Sequence, residues 1–487
     1  MKDHIIRKHR KANILTIAVT MTMLISVVFQ ASAQEKKHKT AKNIIFLIGD
    51  GMGYNHIKAG GYYLHGKEGE LRFQQFPVLY GMSTYSAELD KPLTSRFNDD
   101  SVSTTAGGGY CPAFAWSSFA YLKSRFTDSA PAATAMSTGF KTYNASIGMD
   151  MNRKPLKHFS QAAKEYGKST GVITTVPFSH ATPAGFSAHN IHRNNYSQIA
   201  AEMLLDTRHD VIMGGGNPGY DENAMPLKGP WNFKLCGDST MWFDLLDGKT
   251  DVRFNGAINQ VEDADGDGKP DPWLLIQEVE DFRKFGAGDA PKRLFGVPKA
   301  AQTLHQARTG KGDGTPYSVP LNPGVPTLKE MTLAAINVLD DNSKGFFLMI
   351  EGGAIDWASH ANQSDRLLEE FIDFNNAVDA VIDWVETNSS WDETLVIVTG
   401  DHETGLLWGP NSGGNVFNPI VNNGKGKVPG MEWHSTNHTN SLIAVYAKGA
   451  GSHMFHAYAD EYDPVRGRFI NNTEIPQVFF RLLENEQ

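Results

Sequence analysis

The chain has 487 residues, of which 40% are hydrophobic and 20% charged, an ordinary globular composition with ample length to bury a core. Its formal net charge is −9, and residues 1–33 carry five Lys/Arg against one Asp, so the remainder is four charges more negative still. That balance argues against general nucleic-acid binding, and it leaves affinity for anionic substrates to local positive charge such as metal ions.

In chain order, residues 1–33 read as a secretory signal peptide. Lys2, Arg7, Lys8, Arg10 and Lys11 form a basic start, Ile14 to Phe29 an apolar stretch, and Ala31-Ser32-Ala33 a small-x-small cleavage pattern before Gln34. An uncleaved anchor is the alternative, but the apolar run is short for a span and is broken by Thr20, Thr22 and Ser26. The expectation is an exported protein, periplasmic or secreted, with a single domain over 34–487 and no membrane span after cleavage.

Asn43–Ile48 is a continuous apolar run, as expected of a strand buried on both faces. Further strands are predicted at Thr170–Val176, Val211–Met213, Phe346–Ile350, Thr394–Val398 and Ser441–Ala447. Helices are predicted at Ala132–Thr138, Leu156–Tyr166, Tyr196–Leu205, Leu328–Leu339, Arg366–Thr387 and Pro476–Glu484. This alternation argues for an α/β fold with a large, central, mostly parallel sheet and helices on both faces. Residues 217–325, rich in Gly, Pro, Asp and Lys, break the rhythm and read as an inserted irregular region. The two cysteines, Cys111 and Cys236, either pair in an oxidising compartment or stand as two buried thiols.

Three of the apolar runs end in acidic or imidazole side chains: NIIFLIGD at Asp50, FFLMIE at Glu351, and TLVIVTGDH at Asp401 and His402. Open parallel sheets bind ligands at the carboxyl ends of their strands. Carboxylates gathered there repel one another unless cations neutralise them. Beyond a Gly352-Gly353 turn, Asp356 and His360 stand four apart, on one helix face, an oxygen and a nitrogen donor that suit zinc. Ser129 opens a small-residue helix, where free N–H groups favour an anion. A serine needs a base or a metal to become a nucleophile, and no separate Ser-His-Asp set is visible.

These pieces together resemble the alkaline phosphatase family. IGDGMG, TDSAPAATAMSTGFKTYNASIG, SHATPAGFSAHNIHR, EGGAIDWASH, TGDHETG and HTNSLIAVYAKG occur in the family's order across nearly the whole mature chain. The resemblance implies hydrolysis of small phosphate monoesters through a phosphoserine on Ser129. It implies one zinc on Asp50, Asp401 and His402, a second on Asp356, His360 and His438, and a third ion, normally magnesium, on Asp50, Thr182 and Glu351. Arg193 matches the arginine that clamps the phosphate, with Asp128 orienting it, and a homodimer is the family expectation. Some members carry Asp and Lys where this chain has His180 and Trp357. The His and Trp pair resembles another branch of the family, gives these two a supporting role beside the third ion, and leaves that ion magnesium or zinc.

His434 precedes His438 by four residues, and the HTNS context selects His438 as the ligand. Asp263, Asp265, Asp267 and Asp271 read either as the start of a calcium loop or as an acidic solvated turn, because the twelfth position is Leu274 rather than Glu. The rivals are a sulfatase, a phosphodiesterase and a non-catalytic exported binding protein. Sulfatases require an arginine where this chain has Ala133. Ser129 together with Arg193 favours monoesters, and no expected zinc ligand is lost.

Overall fold

The computed structural model describes residues 40–87 and 109–485, so the signal-peptide reading of 1–33 lies outside the described residues. Within that range an eleven-stranded sheet forms the centre. Its strands are β1 (Asn43–Gly49), β2 (Val78–Ser83), β3 (Ser169–Pro177), β4 (Val211–Gly215), β5 (Leu274–Ile276), β6 (Leu294–Gly296), β7 (Phe346–Gly352), β8 (Thr394–Gly400), β9 (Ile443–Gly449), β10 (Glu461–Asp463) and β11 (Gly467–Asn471). They lie in the order β10-β11-β2-β9-β8-β1-β7-β3-β4-β6-β5. From β8 to β5 all neighbours are parallel, whereas β9 runs antiparallel to both β8 and β2. The fold is the expected α/β class, with a mixed edge.

The central strands are apolar throughout because both of their faces are covered. Side chains alternate across a strand, so Ile44, Phe46 and Ile48 enter one core while Ile45 and Leu47 enter the other. The first core packs against α2 (Ser129–Thr138), α3 (Phe159–Glu165) and α8 (Glu474–Glu484) through Met136, Phe159 and Phe479. The second packs against α1 (Tyr54–His65), α5 (Leu328–Leu339) and α7 (Ser364–Asn388) through Ile57, Met331 and Phe371. A Thr-x-x-Glu box starts α5: Thr327 Oγ1 accepts from Glu330 N at 3.2 Å, and Thr327 N donates back to Glu330 Oε2 at 2.8 Å.

Several boundaries differ from the sequence reading. The helix expected from Leu156 begins at Phe159, where Gln161 Oε1 accepts from His158 N at 2.9 Å and fixes the first turn. The Tyr196–Leu205 helix divides into an α-helix over Tyr196–Ala201 and a wider π-type turn over Glu202–Asp206. In the region read as irregular, β5 and β6 extend the sheet edge and Asp251–Phe254 pairs with Ala257–Gln260 as a separate hairpin. Cys236 is buried in the first core, Cys111 lies in a small aromatic cluster, and both are free thiols. No helix among the described residues is long and apolar enough to cross a membrane.

Phe347 on β7 packs against three rings outside the sheet, with ring centroids 5.0 Å from Phe159, 6.0 Å from Phe186 and 6.1 Å from Phe479. Phe347→Ala is expected to cost about 3–5 kcal/mol, the range for an aromatic deleted from a packed core. Urea unfolding followed by tryptophan fluorescence measures it, and a loss below about 1 kcal/mol would show that the core collapses around the cavity.

Candidate active site

The strand register places the acids. Gly49 pairs with Gly352 and with Gly400, and Ile48 pairs with Glu351, so β1, β7 and β8 end level. Asp50 and Asp401 follow directly, and Glu351 stands one residue inside β7. The turn after Asp50 needs Gly51: its φ is +70°, and a Cβ there would lie 2.9 Å from Thr404 Oγ1 and 3.0 Å from Asp356 Oδ1. Gly51 N also donates to Asp401 Oδ1 at 3.0 Å, tying β1 to β8 at the site.

Beyond the Gly352-Gly353 turn, α6 (Ala354–His360) carries Asp356 and His360 on one face, with His360 Nε2 3.3 Å from Asp356 Oδ2. His438 Nε2 lies 3.5 Å from Asp356 Oδ1 and 3.0 Å from His360 Nε2. Both imidazoles are oriented from behind: His360 Nδ1 meets Thr436 O at 2.7 Å, and His438 Nδ1 meets Thr127 O at 2.8 Å. A ring that donates through Nδ1 presents a bare Nε2, the form that binds metal.

Alongside, His402 Nε2 is 3.4 Å from Asp50 Oδ1 and 3.3 Å from Asp401 Oδ2, and its ring stacks on His438 with centroids 3.7 Å apart. Ligand atoms of Asp356, His360 and His438 lie within 4.8 Å of one another, and so do those of Asp50, Asp356 and His402. Asp356 thus stands between two adjacent clusters.

Asp128 caps α2 and Ser129 is its first residue. Ser129 Oγ is 3.1 Å from His402 Nε2 and 3.4 Å from Asp50 Oδ2. Asp128 is fully engaged: Oδ1 accepts from Ala130 N at 2.7 Å and from Arg193 Nη1 at 2.8 Å, and Oδ2 accepts from Ala145 N. Arg193 Nη2 donates to His180 Nε2 at 2.9 Å. Although burial pulls the Arg193 guanidinium down, Asp128 holds it above its ordinary range. Ser129, Arg193, Asp356, His360 and His438 line one cleft together with Gln306, Trp357 and Asn437.

A family model for alkaline phosphatase matches residues 41–226 and 285–421. The chain is 31% identical to an alkaline phosphatase of Escherichia coli K12 over 84% of this chain and 82% of that one. It is 28% identical to alkaline phosphatase 4 of Bacillus subtilis 168 over 99% of each. The chain belongs to the alkaline phosphatase family.

Among solved structures, the alkaline phosphatase of the Antarctic bacterium TAB5 shares the fold with a TM-score of 0.58 at 24% identity, covering 92% of this chain and 98% of that one. A His-to-Asp variant of that protein has Mg bound in its M3 site. Membership makes this chain a hydrolase of a metal-dependent family acting on phosphate esters.

The charges at the site fit cations. Asp50 is raised well above the carboxylate range by burial, then by Asp401, Asp356 and Glu351. Burial pushes Glu351 up to about 8 and Asp401 up to about 6. Burial also opposes ionisation of Asp356, yet hydrogen bonds from His360 and His438 hold it well below its ordinary value. Glu351 Oε1, Asp401 Oδ2 and Thr182 Oγ1 are buried without a hydrogen-bond partner. Acceptors left short of donors in a buried acidic cluster match a site for divalent ions. Thr182 sits on α4 (Ala181–Gly185), after β3, near enough to the Glu351 carboxyl to favour its ionised form against the effect of burial.

Two hydroxyls were absent from the sequence reading. Thr404 Oγ1 donates to Asp356 Oδ1 at 2.5 Å and meets His402 Nδ1 at 3.3 Å, linking the two clusters. Thr174 on β3 donates to Glu351 Oε2. Thr404 lies inside the TGDHETG stretch and was open to notice, whereas Thr174 is revealed only by its pairing with Glu351 across β3 and β7.

His180 and Trp357 face each other with ring centroids 5.8 Å apart. His434 lies instead against Phe119, with centroids 5.1 Å apart. In the acidic loop, Asp263, Asp265 and Asp271 come together, and the Lys292 ammonium lies 2.6 Å from Asp265 Oδ2 and 3.3 Å from Asp271 Oδ1. Asp267 stands 3.5 Å from the same ammonium.

The buried cluster sets a pH dependence for chelated protein. Glu351, raised to about 8, and His360, raised to about 9 by Asp356 against burial, both bind more protons folded than unfolded at neutral pH. Their stabilisation is therefore lost as pH rises through those values. His402, kept neutral by burial, stops adding stability once pH passes the ordinary histidine value of 6.5. The Tm of chelated protein should fall between about pH 7 and about pH 9, and added zinc should remove the fall. Calorimetry with and without chelator decides it, and a flat or rising Tm in the chelated protein would contradict the buried charge cluster.

Proposed function

We propose that the protein hydrolyses phosphate monoesters to an alcohol and inorganic phosphate through a phosphoserine on Ser129, assisted by two zinc ions and one magnesium ion. The carrying observation is the position of Ser129 Oγ. It stands at a helix N-terminus, 3.1 Å from His402 Nε2 and 3.4 Å from Asp50, beside an arginine fixed by Asp128.

Asp356, His360 and His438 would hold one zinc, Asp50, Asp401 and His402 the other, and Asp50, Thr182 and Glu351, all oxygen donors, would suit magnesium. Bound there, such ions supply Lewis acidity to the entering and leaving oxygens and allow the serine to act without its proton.

The chain's own groups do the rest. Free N–H groups at the start of α2 and the Arg193 fork receive the phosphoryl oxygens. Asp128 keeps that fork aimed through its 2.8 Å bond, so little orientation is lost on binding. Ser129 Oγ attacks phosphorus, the ester oxygen departs as the alcohol, and phosphoserine forms. Water entering from the vacated side then breaks the serine ester and releases phosphate. His180 holds the second nitrogen of Arg193, and Trp357 walls the cleft beside it. The reading includes export through residues 1–33 and a role in recovering phosphate from organic esters.

Ser129→Ala is expected to lower kcat on p-nitrophenyl phosphate at least about a thousandfold with circular dichroism unchanged. Arg193→Ala should lower kcat/KM by about 10- to 100-fold, the worth of a charge-assisted fork. Activity should vanish on chelation and return with zinc and magnesium. Fully metallated wild type without monoesterase activity at about pH 9 would sink the proposal, and sulfate esters and phosphodiesters would then be assayed.

A further inference from the structure

Thr404 is tied to four of the segments that carry candidate ligands. It is wholly buried, and it lies in a two-stranded ribbon where it pairs with His438 while Glu403 pairs with Thr439. Thr439 Oγ1 locks that ribbon a second time by donating to Glu403 Oε2. The main-chain N of Thr404 donates to Gly51 O at 3.1 Å, one residue beyond Asp50. Its hydroxyl reaches the other two segments: Oγ1 donates to Asp356 Oδ1 at 2.5 Å and stands 3.3 Å from His402 Nδ1.

A hydroxyl carries one proton. The shorter contact, to a carboxylate, takes it. Towards His402 the oxygen can then only accept, so the proton of the neutral imidazole sits on Nδ1. Nε2 is left bare, 3.1 Å from Ser129 Oγ and 3.4 Å from Asp50 Oδ1. His360 and His438 reach the same form by donating to the carbonyl oxygens of Thr436 and Thr127. For His402 the Thr404 hydroxyl plays that part.

We propose that Thr404 is a positioning residue for both zinc sites: its hydroxyl fixes Asp356 for one and holds His402 in the Nε2-bare form for the other. The inference rests on the two-zinc reading of these clusters. Without the hydroxyl, Asp356 Oδ1 loses its donor, and the His402 proton is free to move to Nε2, where it blocks a metal. One uncharged side chain thus sets the affinity of two ions.

The test titrates chelated wild type, Thr404→Val and Thr404→Ser with zinc against a chromophoric chelator, with magnesium in excess. Valine keeps the shape and lacks the hydroxyl, whereas serine restores it. Wild type should take up two zinc ions tightly. Thr404→Val should bind both about 10- to 100-fold more weakly, and Thr404→Ser should stay within about threefold of wild type. Thr404→Ala carries the same expectation and replaces the valine variant if that one fails to fold. Unchanged zinc affinity in the variant lacking the hydroxyl, or weakening at one site only, overturns the proposal. Equal weakening in Thr404→Ser also overturns it, since that marks a packing role. Affinities in the expected order, in a protein without monoesterase activity, support the positioning role while the phosphatase reading fails. Wild type that takes up no zinc overturns both.

Discussion

The structure depends on one electrostatic constraint. Asp50, Glu351, Asp356 and Asp401 are all withdrawn from water at one end of a parallel sheet. Burying a single ionised carboxylate without a partner is costly, and placing four together multiplies the cost. Two imidazoles answer part of it, since His360 and His438 keep Asp356 ionised. Asp50 and Glu351 have no comparable partner, and both are pushed towards the protonated form. A site that is electrostatically incomplete in this way is completed by cations, and the fold's rigidity keeps it from relaxing.

That rigidity comes from strands that are fully buried. β1, β7 and β8 are apolar along their length, and their side chains divide between two cores, one on each sheet face. A one-residue slip of any of them would exchange its two faces and move its terminal acid away from the others. Packing on both faces therefore fixes the chemistry at the strand ends. The hydroxyls of Thr404 and Thr174 add the finer adjustment, because each donates to one of the buried carboxylates, Asp356 and Glu351.

Much of this was legible in the sequence because the signals are local. Continuous apolar runs ending in Asp or Glu gave the central strands and the acids together, and the four-residue spacing of Asp356 and His360 gave a shared helix face. The parts that were not legible depend on distant neighbours. The antiparallel course of β9 follows from its pairing with β8 and β2, which no local pattern encodes. The strands β5 and β6 are three residues each, too short for periodicity to register. Ser129 was placed near a helix start and the resemblance implied that Asp128 orients Arg193, but that the same carboxylate also caps the helix, and so ties Arg193 to its first turn, emerges only from the structure. In the Asp263–Asp271 loop the acids were visible and the lysine was not: Lys292 arrives from the chain just before β6 and gives those carboxylates a counter-charge that a reading of the loop alone lacks.

The division of labour between strands and loops follows from the same physics. The buried acids Asp50, Glu351, Asp356 and Asp401, with His402 and His360, stand at strand ends or on the helix that follows β7, where a shift of 1 Å would be resisted by both cores. Groups around a cavity that adjoins the reaction cleft belong to connections such as the Tyr220–Pro226 turn, braced by side-chain hydrogen bonds rather than by apolar burial. A loop built this way tolerates substitution without disturbing the sheet, so the wall of this cavity is free to vary while the acids are not. His180 and Trp357 stand at the boundary between the two regimes. His180 receives a hydrogen bond from Arg193 on one side and lines the cavity on the other, so a change there alters the setting of Arg193 and the cavity wall together.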